Sequence, residues 1–484
     1  MTTRSFQTVV IGGGPGGYVA GIKLGQLGVD AALIEKAKMG GVCLNWGCIP
    51  SKALIHVAHT VRHFEEAEAF GVSAQGVKLD PDKARAWKDE IVGKLTGGVR
   101  KLVKDNGCKI LEGRARFLSN RSLELTTSAG ETEKIDFEKC IVATGARPIE
   151  IPGMEIDGEL IWGADHALNL PTIPERLLIV GGGIIGLELG TVYAKLGTSV
   201  TIVEMLDGIL TGIDRDLVRL VERRLKQFGG RALTQSKVAG IDRVEGELRV
   251  TVDAKGKEEI IECDRMLVAA GFSPNTAGID LDAAGVKTGE KGEIEIDDAL
   301  RTNVEGIYAV GDVTGPPYLA HRAFKMGEVA AEHAAGMNVS FDVRAMPSAI
   351  FTDPEIATTG LSEEEARKGN HEIKTGKFML AANGRALGTG EPLGFVKTIV
   401  DAKTGILLGA GIVGHSASEL IGELTLAIEM GASAEDIGLT VHPHPTISEA
   451  VQESALASLG KATHAINKRE RPARGEKSAP KAGG

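Results

Sequence analysis

Aromatic residues make up only 4% of this 484-residue chain, and cysteine occurs just five times, at positions 43, 48, 108, 140 and 263. So few and so scattered, the cysteines cannot build the disulfide framework of a secreted protein, which points to a reducing compartment. Long apolar runs are also missing: no stretch approaches the roughly 18 uncharged residues of a membrane span. Positive charge is scarce, with 55 Lys and Arg against 65 Asp and Glu, and this argues against general nucleic-acid binding, which rests on neutralising phosphates. A strand-like run, Phe6 to Ile11, begins so near Met1 that no leader is expected ahead of it, and a cytoplasmic location is expected. Residues 465–484, rich in Lys, Arg, Pro, Ala and Gly without apolar periodicity, read as a disordered basic tail.

What is present is length and an ordinary globular balance, 43% hydrophobic and 25% charged residues. Single cores stop growing at about 250 to 300 residues, so several domains are expected. The clearest organisational signal is a device written twice. TVVIGGGPGG closes on AALIE, and LLIVGGGIIG closes on VTIVE; Gly12, Gly14, Gly17 and Glu35 return as Gly181, Gly183, Gly186 and Glu204. Each copy predicts a buried strand, a G-x-G-x-x-G turn, a helix and a second strand ending in an acid. In a dinucleotide-binding unit the glycines allow a tight turn and close approach to a pyrophosphate, and the acid accepts from ribose hydroxyls. Two nucleotide units on one chain suggest electron transfer between them.

Two later runs, KCIVATGARP with Thr144 and Gly145, and DRMLVAAGFSPN with Gly271, read as strands entering glycine turns where the chain leaves each unit. TNVEGIYAVGDV ends a strand near Asp312, which could offer a carboxylate to a bound group. Residues 346–464 carry no nucleotide motif and alternate strand-like with helical runs, as a separate α+β domain does.

In GGVCLNWGCIPSKALIHVAH two cysteines stand five residues apart, before a helical stretch opened by Pro50. In a straight helix such residues are about 7.5 Å apart along the axis, too far for a disulfide, so a bridge needs a break that Gly47 and Pro50 favour. Cys48, at the helix entrance, faces the positive end of the dipole, which favours its thiolate. A zinc site would need two further ligands that no nearby pair supplies, and two reduced core cysteines are the plainer alternative.

The cysteine segment resembles the GGTCLNxGCIPSKAL pattern, and HPHPTISEA at 442–450 resembles the HxHPTxSE pattern, of the dihydrolipoamide dehydrogenases, members of the pyridine nucleotide-disulfide oxidoreductase family. Together with the duplicated fingerprint, the resemblance spans residues 5 to about 464. It implies an α/β chain with two Rossmann-like FAD/NAD(P)-binding domains plus a C-terminal α+β dimerisation domain. The expected divisions are 1–147 for FAD, 148–274 for NAD, 275–345 as a central domain completing the FAD site, and 346–464 as the interface of a homodimer.

By the same resemblance, FAD takes Gly12, Gly14, Gly17, Glu35, Lys52, Thr144, Gly145, Asp312 and Ala320, and NAD takes Gly181, Gly183, Gly186, Glu204 and Gly271. Lys52 and Glu188 would pair beside the flavin. His444, oriented by Glu449, would reach a Cys43–Cys48 redox disulfide from the partner subunit. The implied reaction is oxidation of dihydrolipoamide with reduction of NAD+, and the implied partner is a lipoyl-bearing acyltransferase of a 2-oxo acid dehydrogenase or related complex.

Other readings are a related flavin-dependent reductase of another disulfide, or a non-catalytic flavoprotein. Against the first, no Arg or Lys at 205–214 would greet the 2′-phosphate of NADP, and no cysteine follows Cys263, whereas a mercuric reductase carries a late pair. Three positions depart from the common pattern. Val42 and Met326 read as core packing, while Trp46, between the cysteines, is placed to narrow access to them or tune their potential.

Overall fold

The computed structural model describes residues 2–73 and 75–467. The basic residues of the expected tail, 468–484, lie outside the described residues; Asn467, at its start, is bonded through its side chain to the backbone N–H and C=O of Ala462. The chain divides into two compact units, one comprising residues up to Gly212 with Glu222–Val343, the other Ile213–Val221 with the chain from Arg344 onward.

In the first unit, Thr2–Ile11 is flanked in parallel by Ala31–Glu35 and Thr132–Val142, and Lys109–Glu112 extends the sheet beyond Ala31–Glu35. Ile307–Ala309 also joins it, parallel to Thr132–Val142, so a strand from the expected central region completes the first nucleotide sheet. Val9, Val10, Leu33, Ile34, Ile141 and Val142 are almost wholly buried, as strands covered on both faces must be. The second fingerprint heads a smaller sheet, in which Arg176–Val180 lies between Ser199–Glu204 and Arg265–Val268, all parallel. Its helix, Ile184–Lys195, has no exposed face beyond its first turn, which explains its near-continuous apolar sequence.

Ala146–Pro148 and Phe272–Pro274, the segments following the two expected strand exits, pair with each other antiparallel. The second unit is built on an antiparallel sheet that includes Phe395–Asp401 and Leu407–Val413, with Ala417–Glu429 and Glu449–Ser458 packed in the same core cluster. This is the α+β arrangement expected of the C-terminal domain.

Candidate active site

Both fingerprints fold to the same local geometry. Gly12 and Gly181 have φ of +104° and +110°, a region that L side chains avoid. A Cβ on Gly17 would stand 1.8 Å from the carbonyl oxygen of Gly12, and one on Gly186 2.2 Å from that of Gly181, so strand and helix pack through missing side chains. Gly14 and Gly183 precede their helices with no side-chain cap, as a helix start that receives a phosphate does. Glu35 accepts from the N–H of Gly13 at 2.7 Å and Glu204 from that of Gly182 at 2.7 Å, so each acid holds its own turn.

The remaining candidate contacts of a flavin gather in the first unit. Thr144 Oγ1 is buried and has no hydrogen-bond partner among the described residues. An orphaned hydroxyl in a protein interior calls for a ligand. Next to it Gly145 turns at φ +73° and its carbonyl accepts from Asn275 at 2.9 Å. Asp312 lies in the turn Gly311–Thr314, where burial pushes its carboxyl up to about 6. Ala320 opens the helix Ala320–Ala334, whose preceding Leu319 supplies no side-chain cap. A cradle of glycines, an uncapped helix start and an unsatisfied hydroxyl fit a dinucleotide of the FAD type. Gly271, at φ +112°, turns the chain in the second sheet much as Gly145 does in the first.

The cysteines are held on two helices. Cys43 lies in the short helix Gly41–Trp46; the chain breaks at Gly47, and Cys48 is itself the first residue of the helix Cys48–Glu66, with Pro50 within its first turn rather than opening it. Both are thiols in this structure. Cys48 titrates below the ordinary thiol value, because Cys43 hydrogen-bonds to its sulfur and Lys52 and its own N–H add positive potential, against the opposing effect of burial. Cys43 is raised by the same hydrogen bond and by burial. The two sulfurs are therefore unequal, Cys48 being the readier to ionise. Cys108 and Cys263, in contrast, are pushed by burial up to about 12, and suit packing rather than chemistry.

Lys52, one turn past Cys48, places its ammonium 2.8 Å and 3.0 Å from the two carboxylate oxygens of Glu188 on the second fingerprint's helix. Two residues escaped the sequence reading. Tyr18, on the first fingerprint's helix, is pushed up to about 12, first by burial and then by the charge of Cys43 and Cys48. Arg322 donates to the carbonyls of Gly315 and Pro317 at 2.9 Å and 3.3 Å and to Thr314 Oγ1 at 3.2 Å, bracing the turn that carries Asp312. Its only sequence signal was its place two residues after Ala320.

In the second unit, His444 Nδ1 lies 2.9 Å from Glu449 Oε1, while the other carboxylate oxygen accepts from the N–H of Thr446 at 3.0 Å. These bonds hold Glu449 below the usual carboxylate range, the contact with His444 first. The pair orients an imidazole that is 79% exposed, with Nε2 free of this carboxylate. Of the departures from the common pattern, Met326 is core, 1% exposed, as expected. Val42 is not core: it is 43% exposed, because the short helix turns Leu44, not Val42, toward the interior. No group of three or more possible metal ligands occurs among the described residues.

An asymmetric dithiol at a helix entrance, on a chain with two dinucleotide-binding units, defines a nucleotide-dependent thiol-disulfide oxidoreductase. Residues 6–327 match the family model "pyridine nucleotide-disulphide oxidoreductase", and residues 346–455 match the dimerisation domain of the same family. The chain belongs to this family.

Its relatives include the dihydrolipoyl dehydrogenase of Haloferax volcanii, 47% identical over 467 residues, which span 96% of this chain and 98% of that protein. Another is the dihydrolipoyl dehydrogenase of Thermus scotoductus, 46% identical over 96% of this chain and all of the relative. Among solved structures, LpdA from Mycobacterium tuberculosis superposes with a TM-score of 0.87 at 27% identity, covering 93% of this chain and 99% of that one. The HOCl-induced flavoprotein disulfide reductase RclA from Escherichia coli, as a Cu(II) complex, gives 0.84 at 28% identity, covering 93% and 99%.

Proposed function

We propose that the protein oxidises protein-bound dihydrolipoamide to lipoamide and reduces NAD+ to NADH through the Cys43 and Cys48 pair. The observation that carries this is the low-titrating thiol of Cys48 at a helix start beside Lys52, with Cys43 as its hydrogen-bonded partner. Bound FAD supplies the acceptor for the electron pair of the reduced dithiol, and bound NAD+ the final hydride acceptor. Gly12, Gly14, Gly17, Glu35, Lys52, Thr144, Gly145, Asp312 and Ala320 would hold the first, and Gly181, Gly183, Gly186, Glu204 and Gly271 the second.

The chain's own part is thiol exchange. His444 of a second subunit, steadied by Glu449, takes a proton from one substrate thiol. That sulfur attacks Cys43 of the oxidised pair, the Cys43–Cys48 bond breaks, and Cys48 leaves as the thiolate that its surroundings favour. The second substrate thiol then attacks the substrate sulfur bonded to Cys43, closing the substrate disulfide, and its proton passes to the departing Cys43, so that one proton rests on His444 and one on Cys43. Substrate loses two electrons and two protons; the pair gains the electrons. Lys52, clamped by Glu188, stabilises the Cys48 charge.

The matched dimerisation domain supports a homodimer, which the mechanism requires. The domain divisions at 147, 274 and 345, docking to a lipoyl-bearing acyltransferase and a cytoplasmic location belong to the same reading. Among the described residues no helix is long and apolar enough to cross a membrane. Anaerobic titration of the purified protein provides the test. It should be yellow, be reduced by dihydrolipoamide, and be reoxidised by NAD+, with glutathione and NADPH far less effective. Cys48→Ser should keep the flavin and lose dithiol turnover. A colourless protein, or normal turnover by Cys48→Ser, would sink the proposal.

A further inference from the structure

The surface beside Cys43 holds an apolar patch that thiol exchange does not use. Trp46 is 37% exposed and Val42 43% exposed, on the six-residue helix that carries Cys43. Trp46 is three residues after Cys43 and four after Val42, so all three share one side of the helix. The helix is not loose. Leu44 anchors its other side in the core at 6% exposure, and the Asn45 amide donates to the carbonyls of Met39 at 3.0 Å and Gly41 at 2.9 Å. At Gly41 a Cβ would come within 2.6 Å of the Gly14 backbone, which fixes the helix start against the first fingerprint. Lys38 Nζ stands 6.0 Å from the centre of the indole. An indole that is 37% exposed, on the anchored helix that carries Cys43 and three residues from it, offers an apolar surface to a substrate approaching that sulfur.

We infer that Trp46, with Val42 beside it, is a specificity-determining surface that receives the hydrocarbon arm of the dithiol substrate as its sulfur reaches Cys43. The inference rests on the dihydrolipoamide reading above. A dithiol carried on an alkyl chain gains by covering the ring, whereas a compact hydrophilic dithiol reacts with the same sulfurs and gains nothing from it. Two methylenes withdrawn from water against the ring correspond to roughly 10- to 20-fold in kcat/KM.

The test compares dihydrolipoamide with dithiothreitol in the flavin-loaded enzyme. Trp46→Ala should lower kcat/KM for dihydrolipoamide about 10-fold, mainly through KM, and change that for dithiothreitol by less than about twofold; Trp46→Phe should recover most of the loss. Val42→Ser, at an exposed position where folding is not at stake, should show the same selectivity at about threefold. Parallel losses with both dithiols would assign Trp46 to the redox potential or to folding and overturn the inference, as would unchanged dihydrolipoamide kinetics. If the unsubstituted protein turns over dithiothreitol but not dihydrolipoamide, the functional reading itself fails.

Discussion

Lys52 and Glu188 are joined at 2.8 Å across 136 residues of sequence, so the helix that begins at Cys48 is tied to the helix of the second fingerprint through a carboxylate that is only 5% exposed. Replacing Lys52 with Met removes the cation that favours the Cys48 thiolate and takes away a partner of a buried acid. The thiolate absorbance of the reduced protein should then appear at higher pH, and stability to urea should fall by about 1–3 kcal/mol, less than for a fully buried pair because Lys52 is one-third exposed. Adding Glu188→Gln should return most of the stability and, by removing a carboxylate charge that raises the Cys48 titration, part of the lost shift. An unchanged absorbance titration in Lys52→Met would remove Lys52 from the thiol chemistry.

The two fingerprints should fail separately. Gly17→Ala forces a Cβ onto the Gly12 carbonyl and should yield a protein without bound flavin. Gly186→Ala places the same clash in the second unit, and the protein should remain yellow, accept electrons from dihydrolipoamide, and lose at least about tenfold in affinity for NADH. Loss of flavin in Gly186→Ala, with Gly17→Ala retaining it, would reverse the nucleotide assignment.

Asp312 carries a pH signature in the flavin-free protein. Its folded carboxyl titrates at about 6, above the value of 3.8 for the free side chain, because burial disfavours its charge. The folded state therefore holds the proton more tightly, and the penalty for ionising Asp312 is absent below pH 4, grows between 4 and 6, and is complete above 6. Asp312→Asn should stabilise the apoprotein by on the order of 1–2 kcal/mol at pH 8 and by nothing measurable at pH 4. Thermal melts at the two pH values decide it; an equal effect at both would mean that Asp312 is not the titrating group.

His444→Gln should keep the flavin and the fold while lowering dihydrolipoamide turnover by about 10²- to 10⁴-fold, the usual worth of a positioned acid-base group. Glu449→Gln weakens the 2.9 Å contact to Nδ1 and the carboxylate's hold on the Thr446 N–H. It should lower kcat less than His444→Gln does, since the imidazole keeps its place as the base but loses the carboxylate that orients it. Full activity in His444→Gln would assign proton transfer to another group.

Much of this protein was determined by local sequence. G-x-G-x-x-G, its preceding apolar strand and its closing acid specify one backbone path, since only glycine tolerates φ near +104° or the approach of Gly17 to Gly12; hence the repeat was legible without coordinates. The break between the cysteines was legible too, because Gly47 interrupts what would otherwise be a single helix. Arg322 and Tyr18 were not, because their importance comes from residues far along the chain or on another element, and periodicity carries no trace of such partners. Val42 was misread for a related reason: composition marks it as apolar, but only the orientation of its short helix decides that Leu44 goes inward and Val42 and Trp46 face out. What tertiary structure alone decided was the electrostatics of the dithiol. Cys43 and Cys48 are the same residue type in one segment, and their titrations move apart, Cys43 up and Cys48 down, because a mutual hydrogen bond, burial and Lys52 act on them unequally.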